Sequence, residues 1–125
     1  MDDKELKSSK LAIEIQKDGL QITQEEQQQM YLKTHQCGTE TLIAVCDCAL
    51  MGKKFEEGPL HVEIQPDFFG EQKATTKDVE SALAQATIAN LVGEQSVGHA
   101  VRLGYIDQEN VLRIEGIPCA QMVLM

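Results

Sequence analysis

The chain has 125 residues, of which 42% are hydrophobic and 25% are charged. This composition is typical of one folded domain with a single hydrophobic core, and it disfavours wholesale disorder. The formal net charge of -9 disfavours direct binding to nucleic acid, because phosphate binding needs clustered Lys and Arg side chains.

Membrane and export signals are missing from the sequence. No apolar run approaches the roughly 20 residues of a membrane span, and the N-terminal residues are polar where a signal peptide would be apolar. We therefore expect a cytoplasmic protein with no membrane segment, in which the four cysteines are reduced thiols. The acidic surface either serves only solubility or meets basic partners, such as proteins that themselves bind RNA.

The first 29 residues differ from the rest of the chain and end in the polar run QEEQQQ. Within them, a turn at Asp18-Gly19 separates two stretches of alternating apolar and polar residues, a pattern typical of a β-hairpin. Such a hairpin is only marginally stable by itself. We expect residues 1–29 to be an extension, mobile or folded as this hairpin, and residues 30–125 to be a single domain. A chain that begins at Met30, whether or not translation starts there, should lose less than about 1 kcal/mol of stability.

The predicted domain opens with three strands. The residues MYLKTH alternate between apolar and polar, and TLIAVCD is a continuous apolar run rich in β-branched residues. The intervening QCGTE supplies a turn with Gly38, so these two strands should form a hairpin. In LHVEIQ, the side chains of Leu60, Val62 and Ile64 share one face, which predicts a half-exposed third strand.

Two helices and two closing strands follow. Thr75 and Asp78 have the spacing of a capping box, which predicts a helix from there to about Val92. Gly93 would end this helix, and EQSVGHAVRLG predicts a second one that ends at Gly104. VLRIEG and AQMVLM predict the last two strands. The order is β-β-β-α-α-β-β, and the fold class is α+β, a small single domain with mostly antiparallel strands and a helical hairpin packed on the sheet.

The sequence CDC places two thiols and a carboxylate at the end of the second predicted strand. Cys46 and Cys48 would share one face of an extended chain, whereas Asp47 would point the other way. With Cys37 and Cys119 they would supply four thiolates to a structural zinc ion, but the usual Cys-x-x-Cys spacing is missing. We favour free, buried or half-buried thiols and no cofactor. The Asp47 carboxylate should accept backbone N–H groups from the turn that follows it.

Further candidates for contact with a ligand or partner lie at predicted loop ends. Asn90, Gly93 and Glu94 flank the predicted junction of the two helices, where an amide and an acid also serve to satisfy helix ends. Of the adjacent rings Phe68 and Phe69, one should enter the core, and the other, if exposed, is a contact for a partner. The remaining candidates are Gly52, the basic pair Lys53 and Lys54, and Gln121.

The three histidines do not indicate a catalytic site. His35, His61 and His99 are widely spaced, and none lies in a motif with a Ser or Cys nucleophile. A Cys119–His99 pair would need a third group to orient the base, and the sequence supplies no recognisable one. No catalytic residue is therefore predicted.

The chain contains, in this order, the stretches LIAVCDCALMGKKFEEG, PDFFGE, ATIANLVGEQSVGHAVRLGYID and VLRIEGIPCAQMV. Together they resemble an archaeal family known as domain of unknown function 424, over about Met30 to the C-terminus. The resemblance implies a fold and no assigned reaction, and the gene context of the family suggests a link to translation.

The family pattern covers the strand-to-loop motif, the aromatic turn and the helix junction. The matching residues are Cys46, Asp47, Leu50, Gly52, Phe68, Phe69, Gly70, Asn90, Gly93 and Glu94. The pattern ends in Pro-His-Ala-Gln, where this chain reads Pro118-Cys119-Ala120-Gln121. Because this chain lacks that His, a general base at this position is disfavoured. Cys119 in its place is still suited to be a metal ligand or a small buried residue.

Three functions remain open from the sequence. The leading hypothesis is a non-enzymatic binding or adaptor module with a protein partner, accessory to archaeal translation. The alternative is a small enzyme or metal-binding protein, whose site would comprise Cys46, Asp47, Asn90, Glu94 and Cys119. The third is direct RNA binding through Lys53 and Lys54.

Overall fold

The structure is a computed structural model that describes residues 29–124. The predicted N-terminal hairpin lies outside these residues. The strands are β1 (Met30–Cys37), β2 (Glu40–Asp47), β3 (Lys54–Glu57), β4 (Leu60–Glu63), β5 (Lys73–Ala74), β6 (Ile88–Val92), β7 (Leu112–Ile114) and β8 (Ile117–Val123). The helices are α1 (Pro66–Phe69), α2 (Thr76–Gln85) and α3 (Glu94–Arg102), and single 3-10 turns lie at Cys48–Leu50 and Gln108–Asn110.

The predicted hairpin at the start of the domain is confirmed. Strands β1 and β2 pair antiparallel along their whole length, from Met30 opposite Asp47 to Cys37 opposite Glu40. Gly38 has φ of 63° in the connecting turn, a conformation that glycine adopts without steric cost. Local alternation and one turn residue therefore account for this part of the fold.

The main sheet has six strands in the order β5-β1-β2-β6-β8-β7, and β3 with β4 forms a separate two-stranded sheet. The class is α+β, as predicted, and the sheet is mostly antiparallel. One central pair differs, because β6 lies parallel to β2. The chain reaches β6 through the β3–β4 hairpin, α1, β5 and α2, in line with the long crossover that a parallel pair requires.

The first long helix is shorter than the sequence predicted. Its capping box is present, since Thr75 Oγ1 accepts from the Asp78 N–H and the Asp78 carboxylate accepts from the Thr75 N–H. The helix ends at Gln85, however, and the next residues form β6 rather than two more helical turns. Pairing with β2 on one side and β8 on the other satisfies the backbone of β6, and Leu91 is completely buried in the larger core. These tertiary interactions outweigh the helical periodicity.

A strand therefore separates the two helices that were predicted to be consecutive. Both helices still pack on one face of the sheet, where they contact each other. Gly93, predicted to end a helix, instead precedes α3 with φ of 113°. The predicted helix junction is thus the end of a central strand.

The two faces of the sheet are covered differently. Alternate residues of β2 and β6, such as Val45 and Leu91, pack beneath α2 and α3 in the larger core. The intervening side chains, such as Cys46 and Val92, face the other way and pack with Phe69. Within residues 29–124, this second face is covered by α1, the β3–β4 hairpin and the turn at Leu50 and Met51, and part of it stays open.

The helices within residues 29–124 are short, and none of them is long and apolar enough to cross a membrane.

Candidate functional site

A groove of about 530 Å³ lies on the second face of the sheet. Its floor includes Asn90 of β6 and Gln121 of β8. One wall is β4 together with the ring of Phe68, and the other includes Leu112 of β7. We call this feature the β4 groove. Its volume falls within the range usual for binding sites in proteins.

Two amide side chains lie next to each other on the floor of the β4 groove. Asn90 and Gln121 are directly opposite in the antiparallel β6–β8 ladder, a position in which Cβ atoms are about 5 Å apart. Within residues 29–124, neither side-chain amide forms a hydrogen bond. Each amide offers N–H donors and a carbonyl acceptor, so together they present unused polar groups to a ligand.

The rim of the groove is apolar and exposed. Leu60, Phe68 and Leu112 all line it, and their relative exposures are 40%, 36% and 56%. Exposed apolar side chains that occur singly are ordinary on protein surfaces, but a group of them around one concavity indicates contact with a partner or ligand. Apolar walls around a few polar groups are the usual makeup of a binding site.

The aromatic turn divides its two rings as the sequence predicted. Phe69 is only 3% exposed and packs in the smaller core, whereas Phe68 remains at the groove. The Phe68 ring meets Phe69 edge-on at a centroid distance of 5.1 Å and stacks on His35 at 5.1 Å. A 2.8 Å hydrogen bond also joins His35 Nε2 to the Phe68 carbonyl oxygen. These contacts hold the exposed ring in place, and His35 is a residue that sequence reasoning did not assign to the site.

Asp47 connects the end of β2 to the start of α3. Its carboxylate accepts hydrogen bonds from the Gln95 N–H at 3.0 Å, the Ser96 N–H at 2.9 Å and the Ser96 hydroxyl at 2.8 Å. The prediction that Asp47 caps the following turn is wrong, because the Cys48–Leu50 turn has no side-chain cap. Its partners are almost 50 residues away along the chain, and no local pattern identifies them.

The close packing of the Asp47 carboxylate against the start of α3 requires a glycine at position 93. A Cβ atom on Gly93 would lie 2.3 Å from Asp47 Cγ, and its φ of 113° is itself unfavourable for other residues. Gly93 and Asp47 thus have a structural role at the start of α3. Sequence reasoning missed Ser96, which is fully buried against this carboxylate.

Glu94 lies apart from the groove. Its carboxylate pairs with Arg113 at 3.1 Å, and both side chains are more than half exposed. A surface ion pair of this kind contributes little to stability. Among the four polar candidates from the sequence, the structure brings Asn90 and Gln121 together and separates Asp47 and Glu94 from them.

The four thiols do not assemble into one centre. Cys46 is fully buried, and this burial, with the neighbouring Cys48 and Asp47, raises its pKa to about 12. Burial likewise raises the pKa of Cys119, which lines the groove, and of Cys48. Cys37 is exposed at the far end of β1. A raised pKa keeps a thiol protonated at neutral pH, which makes it a poor nucleophile.

The same part of the chain, residues 29–124, contains no group of three or more His, Cys, Asp or Glu side chains arranged to hold a metal ion. A Cys119–His99 pair does not form either. His99 lies on α3 with Thr76 and Arg102 as its hydrogen-bonding neighbours, on the opposite face of the sheet from Cys119. Burial and the Arg102 charge lower the pKa of His99.

The basic pair lies where the β3–β4 hairpin begins. Both Lys53 and Lys54 are exposed, and Lys54 is directly opposite Glu63. Gly52, with φ of 85°, donates its N–H to the Ile64 carbonyl and closes the loop before the hairpin. An acid therefore faces Lys54 across the hairpin, whereas Lys53 lies just before the first strand of the hairpin.

Reciprocal hydrogen bonds hold the other end of the hairpin against the β7–β8 turn. The Glu115 carboxylate accepts from the Glu56 N–H, and the Glu57 carboxylate accepts from the Glu115 N–H, both at 2.7 Å. Glu115 has φ of 53° in the turn that precedes Gly116. This arrangement, which the sequence did not indicate, gathers acidic side chains beside the β4 groove.

A second, larger concavity of about 870 Å³ lies along the outer edge of β1, between α1 and α2. One of its lysines, Lys33, already donates to the Asp67 carbonyl oxygen at 3.0 Å. None of the sequence-predicted site residues lines this concavity. The β4 groove, which five of them line, is therefore the candidate site, and those five are Phe68, Phe69, Asn90, Cys119 and Gln121.

Comparison with known proteins agrees with the fold. A crystal structure of an uncharacterized conserved protein from Methanopyrus kandleri is similar, with a TM-score of 0.63 and 20% sequence identity, over 74% of this chain and 89% of that one. A search of the curated proteins finds no match. The family model described as "Protein of unknown function (DUF424)" matches residues 34–125. The chain therefore belongs to the DUF424 family of proteins of unknown function.

Proposed function

We propose that the protein is a non-enzymatic binding or adaptor module whose β4 groove docks a protein partner. The observation that carries this proposal is the pair of side-chain amides, Asn90 and Gln121, which lie without hydrogen bonds on the floor of a groove with an exposed apolar rim. Binding would give both amides partners and would remove the rim from water. Each of these changes favours association.

The chemistry around the groove supports binding rather than catalysis. The only thiol that lines it, Cys119, has its pKa raised by burial. The carboxylate and base proposed for an enzyme, Asp47 and His99, are engaged at α3 and do not line the groove. Amides and apolar side chains recognise a surface, but they do not transfer protons or attack a substrate. His61 and Glu63 of β4 also line the groove, and within residues 29–124 neither side chain has a hydrogen-bond partner that would orient it as an acid or a base.

We further propose that the partner belongs to the translation machinery. The support is electrostatic, because an acidic protein attracts basic ones, and proteins that bind RNA are commonly basic. The same net charge of -9 opposes direct contact with RNA.

Affinity purification with quantitative proteomics tests both parts of the proposal. The bait would be compared with a Leu112→Ser variant, which alters the exposed rim, and with a matched Leu103→Ser control at an exposed leucine outside the groove. We expect ribosomal or other translation proteins to be enriched by the wild type and the control, and to be lost with Leu112→Ser. Recovery of no such protein above background would contradict the link to translation. Equal recovery by all three baits would contradict the role of the groove.

A further inference from the structure

Within residues 29–124, one edge of strand β4 is open. Strand β4 pairs only with β3 in the two-stranded sheet of the described chain. The Ile64 N–H bonds to the Lys53 carbonyl, so by the alternation of an antiparallel ladder the backbone groups of His61 and Glu63 point away from β3. A strand edge of this kind is a template for pairing with another chain.

This open strand forms a wall of the β4 groove. All four residues of β4 line the groove, with Asn90 and Gln121 on its floor. A segment that extends β4 by one strand would lie above those two amides, whose N–H and C=O groups match those of a peptide backbone. Alternate side chains of the segment would point toward the rim leucines, Leu60 and Leu112, and the others toward water.

The charge around the groove indicates which kind of segment fits. The hairpin residues 54–63 carry three carboxylates and one lysine, and Glu115 adds a further carboxylate where the hairpin meets the β7–β8 turn. A second copy of this chain would bring the same acidic surface and a net charge of -9. Like charges repel, so the groove favours a basic segment of another protein over self-association.

We propose that the β4 groove takes an extended, basic peptide segment of a partner protein, which adds a strand to the open edge of β4. This inference rests on the proposed function and specifies the occupant of the same groove. Backbone hydrogen bonds to His61 and Glu63 supply the pairing, and alternating apolar side chains against Leu60 and Leu112 supply the register.

The first test uses short synthetic peptides and the complete protein. A peptide of alternating Val and Lys should bind, with the largest changes in amide NMR signals at β4 and at the side chains of Asn90 and Gln121. A matched peptide of Val and Glu should bind at least about tenfold more weakly. A Val–Lys peptide methylated at alternate backbone nitrogens, in the register that removes the donors facing β4, should also lose at least about tenfold in affinity.

A pair of protein variants provides a second, independent test. His61→Pro removes a backbone N–H from the open edge, whereas His61→Ala removes only the side chain. The Val–Lys peptide should bind His61→Pro at least about tenfold more weakly than it binds His61→Ala. Amide NMR spectra of the two variants without peptide would establish that the β3–β4 hairpin remains paired. If the hairpin is lost in His61→Pro, the binding of the methylated peptide to the wild-type protein tests strand addition instead.

The outcomes separate this inference from the proposed function. No binding of the Val–Lys peptide at about 1 mM would overturn the strand-addition proposal. Equal affinity for the methylated and unmethylated Val–Lys peptides would also overturn it, and the groove would then be a docking site that does not use strand addition. Dimerisation of the wild type but not of His61→Pro in sedimentation would identify a second copy as the occupant and would also overturn it. The proposed function is decided separately, by partner recovery with Leu112→Ser.

Discussion

Replacement of Asp47 by alanine tests whether the carboxylate holds β2 and α3 together. The change removes three hydrogen-bond acceptor interactions, two to backbone N–H groups at the start of α3 and one to the Ser96 hydroxyl. It leaves the backbone of β2 unchanged and removes only the carboxylate group, so the volume lost is small. The loss of stability should therefore report on these bonds rather than on a large cavity.

The expected magnitude follows from two contributions. Loss of a helix-capping side chain costs about 0.5–2 kcal/mol. Ser96 is fully buried, so its hydroxyl would lose its partner without access to water, which costs about 1–3 kcal/mol more. We expect Asp47→Ala to lower the free energy of unfolding by about 3 kcal/mol.

Urea denaturation followed by circular dichroism measures this change. The matched control is Asp107→Ala, because Asp107 also precedes a helical turn but makes no side-chain cap there. It should change the free energy of unfolding by less than about 0.5 kcal/mol. In the Asp47→Ala background, a further Ser96→Ala change should cost much less than it does alone, since the hydroxyl has already lost its partner. A loss below about 0.5 kcal/mol for Asp47→Ala would refute the reasoning.

Three further predictions concern the glycine beside this carboxylate, the capping box and the thiols. Gly93→Ala should destabilise the protein by several kcal/mol or prevent folding, because φ is positive there and the added Cβ atom would clash with the carboxyl carbon of Asp47. Gly98→Ala, whose added Cβ atom meets no other atom, should be neutral or stabilising by up to about 1 kcal/mol, and equal effects of the two changes in thermal melts would contradict this prediction. Thr75→Ala should cost about 1 kcal/mol in urea denaturation and leave the β4 groove intact, and no measurable cost would count against the capping box. When the protein is alkylated at pH 8 and analysed by mass spectrometry, exposed Cys37 should react quickly. Buried Cys46 has a pKa of about 12, so about one thiol in ten thousand is ionised at this pH, and it should react only through unfolding; comparable rates for the two cysteines would disprove its burial.

Local patterns in the sequence determined several elements of this fold. The β1–β2 hairpin follows from alternation and a glycine turn, and the start of α2 follows from the Thr75–Asp78 capping box. That one ring of the pair Phe68 and Phe69 is buried and the other exposed also follows from their adjacency on a turn, whereas the structure decides that Phe69 is the buried one. Each of these depends on interactions between residues that are close in the chain, for which spacing alone carries the information.

Tertiary structure decided the rest. The sequence of β6 predicts a helix because a short apolar run fits either structure, and only its two neighbouring strands select the extended form. The sequence predicts that Asp47 caps the next turn, because its actual partners, Gln95 and Ser96, lie 48 and 49 residues further along the chain. Asn90 and Gln121 are candidates from the sequence alone, but their adjacency depends on the register of the β6–β8 ladder. Register and long-range pairing arise from the packing of the whole domain, so no local pattern in the sequence specifies them.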